Sequence, residues 1–122
     1  MSEEKVKLPH DHTHGHANDI LEHAPDAETI EAVSMAMKQL GDPSRLRIFW
    51  LLCHVEECVI DIAAAVNMTS PAVSHHLKLM KSTGLITSHR SGKEMYYKAA
   101  DTELAQSLHK TIEEVARITC PE

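Results

Sequence analysis

Residues 58–81, CVIDIAAAVNMTSPAVSHHLKLMK, constrain the fold more than any other stretch, because they read as two short helices around a tight turn. In the first half, Ile60, Ala63, Ala64 and Val66 set apolar side chains at helical spacing. Asn67 follows, with a short polar side chain that tolerates a left-handed backbone and so suits a helix stop. The pair Ser70-Pro71 predicts the next start, with serine as N-cap and proline at the first helical position, where a missing N–H costs nothing. The second helix carries Val73, Leu77 and Met80 on one face, leaves Ser70, Ala72, Ser74, His75 and Lys78 for the others, and closes at Gly84. Small Ala63, Asn67 at the turn and apolar Val73 are spaced as a helix-turn-helix requires for two helices to cross closely.

A helix of that kind enters the major groove of DNA and needs positive charge, whereas the whole chain carries −6. The distribution resolves the conflict. Between residues 70 and 98 stand Lys78, Lys81, Arg90, Lys93 and Lys98 against Glu94 alone, so a basic patch lies on an otherwise acidic body. At 122 residues the chain is expected to form one domain whose core is marginal alone, so pairing with a second copy would bury useful surface. No apolar run approaches the roughly 20 residues of a membrane span, and the polar N-terminus is no signal peptide, so a cytoplasmic protein is expected. Three cysteines, Cys53, Cys58 and Cys120, are too few for a disulfide framework and are expected as thiols. No nucleophile, base and orienting group stand at recognisable spacing and no phosphate loop occurs, which argues against an enzyme and against a small organic substrate.

Residues 1–24 are polar and histidine-rich without sustained periodicity, and read as a flexible arm. The remainder, 25–120, reads as a mainly α domain with a small β-hairpin wing, in the order α-α-α-α-β-β-α. Ile30, Val33, Met37 and Leu40 mark its first helix, with Gly41 as the stop. Asp42-Pro43 starts a second, whose Leu46, Ile48, Phe49, Leu51 and Leu52 imply a central position, with Trp50 also a packing residue. After the helix pair, LITSHRSGKEMYYKAA flanks Ser91-Gly92 with β-branched and aromatic residues, the mark of a hairpin, and puts Arg90 and Lys93 near its tip. A last helix, with Asp101 as its expected cap, shows Leu104, Leu108, Ile112 and Val115 as an apolar stripe that would pack on a twin, giving a homodimer and a two-fold operator.

The succession GDPSRLRIFWLL, ECVIDIA, SPAVSHHLKLMKSTGLI and SGKEMYY resembles the SmtB/ArsR family of metal-sensing transcriptional repressors over residues 30–118. Its most specific pieces are Asp42-Pro43-Ser44-Arg45-Leu46, Glu57-Cys58-Val59 with Asp61, and Ser74-His75-His76-Leu77. The resemblance implies a winged helix-turn-helix homodimer that binds double-stranded operator DNA and leaves it on binding a divalent metal, so controlling efflux or resistance genes. One metal site of the family pairs a cysteine and an aspartate three residues later with ligands from the other subunit's arm. Here those positions are Cys58 and Asp61, and the arm supplies histidines, of which His12, His14 and His16 are the favoured ligands. Mixed N, O and S ligation suits zinc and accepts cadmium, cobalt or nickel. The family's second site, across the C-terminal helices, maps onto Asp101, Glu103, Glu114 and Arg117, where no histidine remains and an arginine repels a cation, so this site is expected to be lost or weak. His109 and Cys120 stay as candidates for a rearranged one. Recognition-helix residues Ser70, Ala72, Ser74, His75 and Lys78, with Arg90 and Lys93 of the wing, are the expected DNA contacts. Two other readings stay open: a thiol- or redox-responsive repressor using Cys53 and Cys58, and a histidine-rich metal-storage or metallochaperone protein.

Overall fold

Several helix starts in this chain are made by short side chains that turn back on the backbone, though α1 (Ala17–Glu22) and α4 (Val59–Val66) have no such cap. Asp42 accepts from the N–H of Arg45 at 2.9 Å and launches α3, Pro43–Leu52. Thr69 accepts from Ala72 N–H at 3.3 Å and launches α5, Ser70–Ser82; Thr102 accepts from Ala105 N–H at 3.2 Å and launches α6, Glu103–Ala116. The caps are therefore Thr69 and Thr102, where the sequence suggests Ser70 and Asp101. In both places two cap-competent residues adjoin, and the threonine hydroxyl takes the role, leaving the Asp101 carboxylate to accept from Gln106 Nε2 at 2.8 Å.

The computed structural model describes residues 9–10 and 16–117. His12, His14 and Cys120 lie outside them. The chain falls into two compact units, Met1–Glu31 and Ala32–Glu122. The first holds α1, Ala17–Glu22, a six-residue helix within the histidine-rich segment read as an arm, and the beginning of α2, Ala27–Gln39. The second holds the rest: α3, then β1 (Glu57–Cys58), α4 (Val59–Val66), α5, β2 (Ile86–Ser91), β3 (Glu94–Ala99) and α6. The architecture is a winged helix-turn-helix.

The turn between α4 and α5 is left-handed at Asn67, with φ 54° and ψ 51°. Met68 N–H donates to Ala63 O at 2.9 Å, closing α4 before Thr69 opens α5. The wing is a β2–β3 hairpin turned at Gly92, whose φ of +63° favours glycine. A third strand enters that the alternation signal does not reveal: β1 pairs antiparallel with β3, Glu57 opposite Tyr97 and Cys58 opposite Tyr96, giving the order β1-β3-β2.

The core draws Ile48, Phe49 and Leu52 from α3, Ile62, Ala63 and Val66 from α4, and Val73, Leu77 and Met80 from α5, with Leu85 and Ile86 beneath the wing. Leu104, Leu108 and Ile112 of α6 lean on this same core, while Val115 is 79% exposed. On α2 the buried residues are Ala36 and Gln39, and Ile30 and Met37 stay 50% and 57% exposed. Among the described residues no helix is long and apolar enough to cross a membrane.

Candidate nucleic-acid interface and metal ligands

Because Val73, Leu77 and Met80 are buried, the helical period turns Ser74, His75 and Lys78 of α5 outward, and all three are exposed. Ser70 and Ala72, in the first turn, are half-buried. Arg90 and Lys93 are exposed near the hairpin turn. Lys81 Nζ donates to Ser88 Oγ at 2.6 Å, fastening the end of α5 to the wing, and His89 Nε2 lies 3.0 Å from Glu56 Oε1. The surface carrying these cations is thus one frame of helix and hairpin.

A second fastening joins two of the three motifs that carry the family resemblance, those of Arg45 and His76. Arg45 donates through Nε to Gln39 O at 2.8 Å and through Nη1 to His76 Nδ1 at 3.3 Å. A guanidinium has no acceptor, so His76 Nδ1 must be the unprotonated nitrogen. Burial pushes the His76 imidazole below its ordinary value of 6.5; Arg45 and His75 act in the same direction and Asp42 opposes them. The unfolded chain therefore takes up a proton near pH 6.5 that the folded chain refuses, and the stability held above that pH is lost as pH falls toward the depressed value. Urea unfolding is expected to give a lower midpoint at pH 5.5 than at 7.5, with a smaller difference in His76→Gln. An unchanged difference in the variant would assign the pH dependence to other groups.

Cys58 is the N-cap residue of α4 and only 7% exposed; Asp61 is exposed in the first turn of the same helix. Cys53 and Cys58 are in no disulfide, and Cys53 is half-buried at the end of α3. His16 is exposed at the start of α1, its Nδ1 3.6 Å from Asp19 Oδ2. Asp101, just before α6, and Glu103 and Glu114 on it are exposed, Glu114 lies 3.9 Å from Lys110 Nζ, and Arg117 takes the left-handed conformation that ends the helix.

Among the described residues the ligand-type side chains that converge are others: His54, His109 and Glu113. His109 Nε2 stands 3.1 Å from His54 Nε2 and 3.2 Å from Glu113 Oε2, and His54 Nε2 stands 3.5 Å from the same oxygen. Trp50, half-buried and no core residue, donates its indole N–H to Glu113 Oε2 at 3.3 Å. The sequence offers His109 as a candidate, whereas the packing brings in His54 and Glu113. The available signal was the i, i+4 spacing of His109 and Glu113 on one face of α6.

Residues 42–88 match the family model described as bacterial regulatory protein, arsR family. A homodimeric winged helix-turn-helix DNA-binding domain from Mycobacterium bovis, solved by NMR, is 32% identical with a TM-score of 0.69, over 78% of this chain and 89% of that one. The chain belongs to the ArsR family. Among its ArsR-type relatives, the transcriptional repressor SmtB of Mycobacterium tuberculosis is 36% identical over 81 residues, 66% of this chain and 60% of that protein. The cadmium resistance regulatory protein CadC of Listeria innocua is 42% identical over 67 residues, 54% and 56%. This ArsR-family chain thus spans less than two thirds of the length of either. SmtB and CadC are both named as regulators of transcription.

Proposed function

We propose that this protein is a metal-responsive transcriptional repressor, a homodimer that holds operator DNA through α5 and the wing and releases it when a divalent ion binds. The observation that carries the reading is the position of Cys58 as N-cap and Asp61 in the first turn of α4, the helix that leads through Asn67 into α5 with its exposed Ser74, His75 and Lys78. A nearly buried thiol beside an exposed carboxylate gives sulfur and oxygen donors, and imidazoles from His12, His14 and His16 of the partner's N-terminal segment would complete a set suited to zinc, with cadmium, cobalt and nickel accepted. When bound, the ion supplies a cross-link among these donors. The cadmium resistance named for CadC and the homodimer named for the M. bovis domain support the metal and the pairing. Exposed apolar side chains at Met37 and Val115 offer surface for a second copy.

Linkage requires operator DNA to weaken metal binding by the factor by which metal weakens DNA binding, and couplings of about 1–3 kcal/mol, roughly 5- to 150-fold, are typical. Fluorescence anisotropy with the DNA upstream of its own gene tests this. Saturating zinc or cadmium is expected to weaken binding at least fivefold, and Cys58→Ser to keep DNA affinity while losing the response. Equal affinity with and without each of zinc, cadmium, cobalt and nickel would sink the reading.

A further inference from the structure

The cluster of His54, His109 and Glu113 joins residues that no part of the proposed mechanism uses, and its geometry is particular. The three facing atoms make a triangle with edges of 3.1, 3.2 and 3.5 Å. Ligands bound tetrahedrally at 2.0–2.1 Å, the zinc distances to nitrogen and carboxylate oxygen, lie about 3.3 Å apart. The side chains already stand at the spacing a zinc-type ion imposes on its donors.

Protons alone do not complete the triangle. Each histidine Nε2 either carries a proton or does not, and ionised Glu113 only accepts. If both nitrogens are protonated, the His54–His109 edge sets donor against donor. If one is bare, its lone pair faces the Glu113 oxygen. With Glu113 ionised, every assignment leaves one edge repulsive, whereas a cation at the centre satisfies all three. The side chains of His54, His109 and Glu113 are 15%, 22% and 15% exposed, so solvent screens the conflict only partly. His54 and His109 also line a cleft of about 350 Å³ together with Cys53, Asp101 and Gln106, which gives an ion a path and room for a water ligand. The indole N–H of Trp50 fixes the Glu113 carboxylate, as outer hydrogen bonds commonly orient metal ligands.

We propose that His54, His109 and Glu113 form a metal site of their own, taking one divalent ion of the zinc class within a single chain and pinning the end of α3 to α6. It is separate from Cys58 and Asp61 and stands whether or not that pair senses metal. Trp50 is the only tryptophan, hydrogen-bonded to one ligand and 4.6 Å between ring centroids from another, so its fluorescence reports this site.

The test uses cobalt(II) alone on the full chain carrying Cys58→Ser, His12→Ala, His14→Ala and His16→Ala. Expected are saturable quenching of Trp50 with one ion per chain, a visible spectrum of tetrahedral cobalt, and no thiolate-to-cobalt absorption. Adding His109→Ala or Glu113→Gln should weaken the quenching at least tenfold. Glu113→Gln keeps the shape of the side chain and carries the test if His109→Ala does not fold, folding being checked by circular dichroism. Absence of quenching at millimolar cobalt, or equal quenching with either added substitution, overturns the proposal. Operator release is measured separately on the natural chain: its absence beside intact Trp50 quenching would remove the Cys58 mechanism and leave this site, and the converse result would remove this site alone.

Discussion

Phe49→Ala is expected to cost about 3–5 kcal/mol of folding stability, the usual range when a buried phenyl is truncated and a cavity is left behind. Phe49 is the only phenylalanine, has no solvent exposure, and belongs to the core shared by α3, α4 and α5. A domain of this size commonly has about 5–15 kcal/mol in total, so one substitution removes a large share of it. At roughly 4–8 °C per kcal/mol, the midpoint of a thermal melt followed by circular dichroism should fall by at least 12 °C or so. Ile60→Ala is the contrast: Ile60 is 62% exposed, and truncation there should stay within about 0.5 kcal/mol. A Phe49→Ala protein that melts within a few degrees of the parent would contradict the packing described for α3.

The second large effect concerns affinity. Lys78→Glu reverses a charge on the exposed face of α5, and the pair Arg90→Glu with Lys93→Glu reverses two more near the wing turn. If these cations neutralise operator phosphates, each one lost should flatten the slope of log affinity against log salt by nearly one unit. Lys78→Glu is expected to lower operator affinity at least tenfold at physiological salt, and the wing pair further. Lys110→Glu, an equal charge change on α6, should leave the slope in place. Anisotropy titrations at several salt concentrations give both numbers. An unaltered slope for Lys78→Glu and for the wing pair would mean that α5 and the wing do not face the DNA backbone.

The helix-turn-helix was legible because its determinants are local. Asn67 tolerates the left-handed turn it adopts, and Val73, Leu77 and Met80 repeat at the period that buries them. Ser91-Gly92 marks a hairpin for the same reason. What escaped depends on distance or on choices between neighbours. Strand β1 has two residues, too few for an alternation, and exists because Glu57 and Cys58 meet Tyr97 and Tyr96 almost forty positions later. Thr69 and Thr102 compete with adjacent residues that cap equally well, which local preference does not separate. Just past α2, Leu40 packs on the core as its apolarity suggests, but on the helix small Ala36 and polar Gln39 are buried while Ile30 and Met37 are exposed, so apolarity alone places only part of the inward face. The same limit hid the histidine cluster. His54 and His109 are 55 positions apart, and only the packing of α6 beside the end of α3 brings their rings to a centroid separation of 4.8 Å.

Cys58 is at once the last rung of the β1–β3 ladder, opposite Tyr96, and the residue from which α4 springs. The hairpin and the first helix of the DNA-reading pair therefore share a hinge pin. A displacement of the backbone at Cys58 is thus felt by the hairpin and by α4 together.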